Sequence, residues 1–164
     1  MKFLTNNTIN MYIEESLYKK IMETSVIVTV DIIFINKNKE ILLWLRNNAP
    51  LKNTYYIPWG RIYKYENIID AAKRESKKEL WISLKIEKIK FLWVYDDIYK
   101  EDAFFEWMWS HFASRTYIYN LDDNEKVEIN DNQHAKIKFF NINDISLHPF
   151  IRDRIIDMKR VNYI

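Results

Sequence analysis

The spacing of hydrophobic residues predicts a helix at the start of the chain, followed by a β-hairpin. Apolar residues recur at helical intervals over Met11–Met22, which predicts an amphipathic helix. β-branched residues dominate Ser25–Ile35 and predict a buried strand. The polar turn Asn36–Lys39 separates this strand from a second one, Glu40–Arg46, so the two strands are expected to pair as a hairpin.

The clearest helix lies in the middle of the chain, at Asn67–Leu80. Asn67 is a favourable N-cap, and Asp70 three residues later completes a variant of the capping box. The other predicted elements are a loop at Asn47–Asn53, short extended pieces at Tyr55–Ile57 and Arg61–Tyr63, strands at Lys85–Tyr99, Ser110–Asn120 and Lys136–Asn141, and short helices at about Ile142–Ile145 and Phe150–Met158. Strands and helices are mixed without a regular βαβ repeat. This pattern predicts one α/β domain over residues 1–164, an α/β/α sandwich with a mixed β-sheet between helices.

Composition and charge narrow the possible partners. The chain has 164 residues, enough for one domain with a hydrophobic core. Its formal net charge of +2 is too small to indicate a nucleic-acid surface, and the absence of cysteine excludes disulfides and thiolate metal sites. The first ten residues lack the pattern of a signal peptide, and no stretch approaches the roughly 20 apolar residues of a membrane span. We therefore expect a cytoplasmic protein without nucleic-acid or membrane partners.

Two carboxylates on the central helix are candidate metal ligands. Glu75 and Glu79 are one helical turn apart, so they share a face and repel each other. A hard divalent cation with oxygen ligands would relieve this repulsion. The alternative is an ordinary solvated charged face, in which Arg74 and Lys78 pair with the glutamates. The helix alone leaves both interpretations open.

The segment Gly60–Ile82, with the sequence GRIYKYENIIDAAKRESKKELWI, resembles the Nudix signature. That signature is Gly, five residues, Glu, seven residues, Arg-Glu, an aliphatic residue, one residue, Glu-Glu, one residue, Gly and an aliphatic residue. The matching positions are Gly60, Glu66, Arg74, Glu75, Glu79 and Ile82, and the departures are Ser76, Lys78 and Trp81. The resemblance implies the Nudix fold and metal binding by Glu79.

Lys78 stands where the signature has the first glutamate of its Glu-Glu pair, and this loss argues against a standard Nudix pyrophosphatase. The GDP-mannose mannosyl hydrolases also lack that glutamate, and the chain resembles them over roughly residues 11–155. The similarity is carried by Val30-Asp31, Leu42–Pro50, Tyr55–Arg61, Lys64–Glu66, Glu79-Leu80, Val94-Tyr95 and Asp131–His134.

The resemblance implies that water attacks the anomeric carbon of a nucleotide sugar with inversion and leaves GDP intact. One Mg²⁺ (or Mn²⁺) would be held on the pyrophosphate by Glu79, Gln133 and the backbone carbonyl of Trp59. Family members are homodimers, so the resemblance also implies a homodimer.

The same resemblance implies roles for four further residues. His134 would be the general base, and Arg46 and Arg61 would bind the substrate and neutralise the leaving phosphates. Asp31 would contact the sugar or orient the site. These roles are chemically consistent, because a nucleoside diphosphate is already a good leaving group and histidine has a suitable pKa for activating water.

Several alternatives remain open from the sequence. The chain could instead be a Nudix pyrophosphatase that cuts between the phosphates, or an inactive nucleotide-sugar-binding domain. Glu75 is either an ion-pair partner or a support for the metal ligands, and His111 is either structural or close to the substrate. The aromatic residues that could stack a guanine or belong to a core or interface are Phe104, Phe105, Trp107 and Trp109.

The balance of glycine and tryptophan is abnormal. The chain has one glycine and six tryptophans, whereas glycine usually makes up about 7% of a protein. The tryptophans that stand where the resembling family has glycine are Trp44, Trp59, Trp81 and Trp93. Position 81 follows the central helix, where a left-handed residue is expected. We hypothesise that these codons are UGA and are read as glycine in the cell, and that Trp107 and Trp109 are suspect for the same reason.

Overall fold

The computed structural model describes residues 13–100, 108–125, 127, 134–144 and 146–164. Its helices are α1 (Glu15–Thr24), α2 (Ile68–Leu80) and α3 (Pro149–Arg160), with a short 3₁₀ helix at Ile86–Lys88. Its strands are β1 (Ile27–Ile35), β2 (Glu40–Arg46), β3 (Tyr55–Tyr56), β4 (Trp59–Arg61), β5 (Ile89–Tyr99), β6 (Ser110–Asn120) and β7 (His134–Asn141).

The strands form one mixed sheet in the order β3-β2-β1-β6-β5, with β4 also paired to β1 and β7 to β2. The sheet is mixed because β1 and β6 are parallel whereas the other pairs are antiparallel. Successive side chains of β1 point to opposite faces. Val30 and Ile32 pack on one face with Ala72 of α2, and Ile33 packs on the other face with Ile155 of α3. The predicted α/β/α sandwich is confirmed.

The N-terminal helix and the β4 strand begin at different residues from those predicted. α1 starts at Glu15, because the Glu14 side chain accepts the Ser16 backbone N–H and caps the helix there. Positions 11 and 12 lie outside the described residues. The extended piece after Pro58 is β4, two residues earlier than predicted, because its register on β1 pairs Trp59 with Asp31.

The short helix predicted at Ile142–Ile145 is wrong over the described positions 142–144. Asn141 accepts the Asn143 N–H through its side chain at 2.9 Å and the Asp144 N–H through its carbonyl at 3.0 Å. These bonds close a turn and compete with helix formation. Position 145 lies outside the described residues.

The central helix α2 begins and ends as its sequence predicts. The Asn67 side chain accepts the Asp70 N–H at 2.9 Å, which is the predicted cap. Trp81 ends the helix in the left-handed conformation, with φ 57° and ψ 15°. In the part of the chain that the structure describes, no helix is both long and apolar enough to cross a bilayer.

Candidate active site

A cleft of about 200 Å³ lies between α2 and β4 and collects residues that are distant in the sequence. The predicted site residues that line it are Arg46, Trp59, Arg61 and Glu79. Glu75 and Lys78 of α2 line it as well. The sheet and α2 therefore bring the described part of the predicted metal and phosphate sites together.

Both glutamates of the predicted metal face are buried, although they are charged. The exposed fractions are 5% for Glu75 and 3% for Glu79. Gly60 explains how Glu75 fits, because a Cβ at this position would overlap the Glu75 carboxyl group. The single glycine of the chain thus allows the β4 backbone and the α2 carboxylate to meet directly.

Arg74 connects α2 to the loop before it. It donates to both carboxylate oxygens of Glu66, at 2.7 and 2.8 Å, to the Arg61 carbonyl at 2.9 Å, and to Glu75. Glu66 also accepts the Tyr63 N–H at 3.0 Å. Burial alone would raise the pKa of Glu66, but the hydrogen bonds from Arg74 and Tyr63 outweigh it and lower the pKa. Arg74 therefore braces the loop before α2.

Glu75 lies between two cations. Arg74, the preceding residue, forms one ion pair with Glu75. Lys78, one turn further along α2, places its Nζ 3.7 Å from a Glu75 oxygen. Of the two interpretations of Glu75, the structure supports the ion-pair partner. Lys78, which stands in place of a signature glutamate, therefore brings a positive charge to the cleft.

The backbone of β4 leaves a carbonyl oxygen outside the sheet ladder. Ile32 N–H donates to the Pro58 carbonyl at 3.0 Å, and Ile62 N–H donates to the Val28 carbonyl at 3.1 Å. Antiparallel pairs alternate between hydrogen-bonded and non-hydrogen-bonded positions, so Trp59 directs its carbonyl away from β1.

The oxygen donors in the cleft suit a hard divalent cation. A buried carboxylate at Glu79 and a backbone carbonyl at Trp59 are ligand types that Mg²⁺ accepts together with several waters. Within the described ranges, no three His, Cys, Asp or Glu side chains lie close enough together to hold a metal. The third predicted ligand, Gln133, lies outside the described residues.

The two arginines of the cleft are held in different ways. Arg46 is buried, donates from Nε to the Pro50 carbonyl at 2.7 Å, and places its guanidinium 5.2 Å from the centre of the Trp59 ring. Arg61 lies over the ring of Tyr63 at 5.1 Å. Both cations line the cleft, and their contact with phosphates stays a prediction.

His134 begins β7, and its backbone lies opposite Arg46 in the β2–β7 ladder. The register shifts between Leu45 and Arg46, which is the irregularity of a β-bulge. The His134 side chain lies outside the described part of the structure, as do Asp131 and Asn132. The backbone register nevertheless joins His134 to the strand that carries Arg46.

Asp31 is buried at 1% exposure and belongs to a polar network on the α3 side of the sheet. Arg154 of α3 donates to Asp31 at 2.8 Å and to Asp97 at 2.5 Å. Burial raises the pKa of Asp31 to about 7, although the Arg154 charge opposes the rise. This placement favours the predicted orienting role of Asp31 over direct contact with the sugar.

Arg154 and Asp97 were not predicted from the sequence. One signal was present, because Arg154 lies three residues after Ile151 and four before Met158, on the apolar face of α3. A charged residue at such a position must have a buried partner. The sequence gives no indication of which residue that partner is.

His111 and Trp109 are not among the residues that line the cleft. His111 Nε2 is 3.1 Å from an Asp96 oxygen on the exposed part of β5 and β6, which fits the structural interpretation of His111. Trp109 is exposed and lies beside Lys100, whose amine is 5.6 Å from the ring centre. Phe104, Phe105 and Trp107 lie outside the described residues.

Comparisons of the sequence and of the structure both find similarity to NUDIX proteins. The family model described as NUDIX domain matches residues 26–158. The low-salt glycan biosynthesis protein Agl8 of Haloferax volcanii is 30% identical over 135 residues, which cover 80% of each chain. A MutT NUDIX hydrolase from Burkholderia pseudomallei superposes with a TM-score of 0.68 at 20% identity, over 81% of this chain and 98% of the other. The NUDIX domain of Shewanella oneidensis NrtR, solved with ADP ribose, superposes with a TM-score of 0.66 at 15% identity, over 92% of this chain and 99% of the other.

Proposed function

This chain belongs to the NUDIX domain family, and from that premise we propose that it hydrolyses a GDP-sugar, GDP-mannose or GDP-glucose, to GDP and free sugar. Membership supports a hydrolase of nucleoside diphosphate derivatives. The name of the Haloferax relative refers to glycan biosynthesis, which supports a sugar as the second half of the substrate. By the family resemblance, the enzyme is a homodimer.

The observation that carries this proposal is the ion pair between Lys78 and Glu75. Attack of water on phosphorus is helped by a carboxylate next to Glu79, but position 78 supplies an ammonium group and Glu75 is held between two cations. Attack on the anomeric carbon makes no such demand, because the leaving nucleoside diphosphate needs only positive charge.

The proposed site residues then divide the reaction between them. Water forms a bond from its oxygen to the anomeric carbon, and His134 takes the water proton. The bond from that carbon to the β-phosphate oxygen breaks, and its electron pair stays on GDP. Arg46 and Arg61 stabilise the negative charge that develops there.

Glu79, Gln133 and the Trp59 carbonyl are the residues that would hold one Mg²⁺ or Mn²⁺. When bound, such a cation supplies further positive charge against the pyrophosphate. Asp31, held by Arg154, supports β1 opposite Trp59 and so fixes the strand pair from which the carbonyl projects.

A second candidate is a pyrophosphatase that cuts between the phosphates. It is favoured by the presence of a second buried carboxylate, Glu75, in the same cleft as Glu79. The two reactions differ in their products, since the pyrophosphatase releases sugar phosphate and GMP.

Hydrolysis of GDP-mannose in ¹⁸O-labelled water with Mg²⁺ tests the proposal. We expect free mannose that carries the label, unlabelled GDP, and inversion of the anomer by NMR. Label in a phosphate would replace the proposal with the pyrophosphatase. Tight binding of GDP-mannose without any turnover would replace it with an inactive nucleotide-sugar-binding domain.

A further inference from the structure

Trp59 lines one cavity and packs in the same hydrophobic cluster as residues that line a second one. One is the catalytic cleft, which its side chain helps to line. The other, of about 530 Å³, is bordered by the loop after β2, the end of β5 and the start of α3. Trp59 packs in one hydrophobic cluster with Leu51, Tyr99 and Phe150, and all three of these residues line the second cavity.

The indole is part of an aromatic wall that runs from the cleft to the second cavity. The Trp59 and Phe112 ring centres are 5.0 Å apart, those of Phe112 and Tyr99 are 5.8 Å apart, and those of Tyr99 and Phe150 are 5.4 Å apart. Each pair meets edge to face, the geometry that aromatic rings favour. Trp59 and Asp31 are directly opposite in the ladder, so the indole stands on the face of the sheet that carries Asp31.

The cleft offers less enclosed space than the second cavity. Its volume of about 200 Å³ lies below the roughly 300–1,000 Å³ of sites for small-molecule ligands. The second cavity lies within that range. On the premise of the proposed function, we propose that the second cavity is the subsite for the sugar of the substrate, and that the indole of Trp59 narrows the passage from the cleft to it.

The lining of the second cavity is suited to a sugar. Tyr99 and Phe150 offer aromatic rings against which the C–H faces of a pyranose pack. The ring nitrogen Nδ1 of His148 accepts the Phe150 N–H at 3.3 Å, which leaves Nε2 as the proton-bearing donor. Burial lowers the pKa of His148, so the ring stays neutral near pH 7. Lys52 and Lys100 add two amines for hydroxyl groups.

Replacement of the indole tests this arrangement through binding, separately from catalysis. The affinities of GDP and GDP-mannose are measured by calorimetry in a His134→Ala background, which suppresses turnover. Trp59→Gly removes the indole, whereas Trp59→Phe retains an aromatic ring at this position. Trp81→Gly is the matched control, because it makes the same change at an exposed position outside both cavities.

We expect Trp59→Gly to raise the affinity for GDP-mannose relative to GDP by about tenfold, which corresponds to about 1.4 kcal/mol. Trp59→Phe and Trp81→Gly should leave this ratio unchanged. Adding Phe150→Leu to Trp59→Gly should lower the ratio again, because it removes an aromatic face while it keeps apolar volume. If Trp59→Gly does not fold, Trp59→Ala takes its place.

If a folded Trp59→Gly protein has an unchanged ratio of GDP-mannose affinity to GDP affinity, the subsite is overturned. It is also overturned if the ratio rises but Phe150→Leu does not lower it again. The outcome is independent of the reaction. If Trp59→Gly raises the affinity ratio but the protein with His134 intact does not hydrolyse GDP-mannose, the subsite is supported and the proposed function is overturned. If the protein hydrolyses GDP-mannose but the ratio does not rise, the proposed function is supported and the subsite is overturned.

Discussion

Arg154 donates a 2.8 Å hydrogen bond to Asp31 across the interface between α3 and the sheet, and both side chains are buried. The same guanidinium also binds Asp97, which is equally buried. One positive charge therefore faces two carboxylates in a buried site. Burial disfavours the charged form of Asp31 and the Asp97 carboxylate adds to this effect, so the pKa of Asp31 rises to about 7 although Arg154 opposes the rise.

The proton on Asp31 makes stability depend on pH. Between about pH 4 and pH 7 the folded protein holds the proton and the unfolded chain has lost it. The free energy of unfolding should therefore fall as pH rises through this window, by up to about 1.4 kcal/mol per pH unit for one proton. Urea titrations across the window should show the slope reduced in Asp31→Asn and retained in Asp96→Asn, a change at an exposed carboxylate. Equal slopes in both variants would contradict the assignment.

Removal of the buried guanidinium should be severely destabilising. Arg154→Met leaves two buried carboxylates without their cation, and the loss of one partner from a buried ion pair costs about 3–5 kcal/mol. Arg160→Met is the control, because Arg160 pairs with Asp157 on the surface of the same helix and should contribute about 0–1 kcal/mol. Chemical denaturation of both variants measures the difference. Similar losses would mean that the network does not anchor α3.

Local patterns predicted the elements, but not the pairing between distant segments. The bounds of β2 and β6 follow from apolar and β-branched runs, and the limits of α2 follow from its cap and its left-handed end. The cleft was predictable because one contiguous motif carries Gly60 and both glutamates. The Asp31–Arg154 pair joins residues 123 positions apart, and no local spacing encodes such a contact.

Glu79 should couple metal binding to activity. Glu79→Gln keeps the volume of a buried side chain but removes the charge that attracts a divalent cation. We expect weaker Mn²⁺ binding in titrations followed by paramagnetic resonance, together with slower hydrolysis. Glu87→Gln, which removes an exposed charge, should change neither property. Full activity in excess chelator would exclude a metal role.

His134 should contribute to the rate more than to binding. His134→Ala should lower kcat by about 10²–10⁴, the usual contribution of a general base, and should change the affinity for GDP-mannose much less. His111→Ala is the matched control, since His111 is paired with Asp96 outside the cleft. Steady-state kinetics and calorimetry separate the two effects. Equal losses of kcat in both variants would deny His134 a specific role.

The end of α2 bears on whether the tryptophans are native. Trp81 is 58% exposed and has a φ of 57°, so its indole gains little from packing while its backbone is strained. A left-handed conformation costs a non-glycine residue about 1–2 kcal/mol. Trp81→Gly should therefore stabilise the protein by about 1 kcal/mol, after allowance for the greater flexibility of glycine in the unfolded chain.

The other suspect positions extend this argument to the gene. Trp93 lies at a register shift in β5 and is exposed, Trp59 fills space beside Arg46, and Trp44 is enclosed in the core. A single reassigned codon accounts for bulky residues in such different surroundings, whereas selection for packing does not. We predict UGA at positions 44, 59, 81 and 93, and glycine at each of them by mass spectrometry of the protein from its own cells. UGG codons at these positions would make the tryptophans native, and an indole beside the proposed metal ligands would then favour the inactive binding domain.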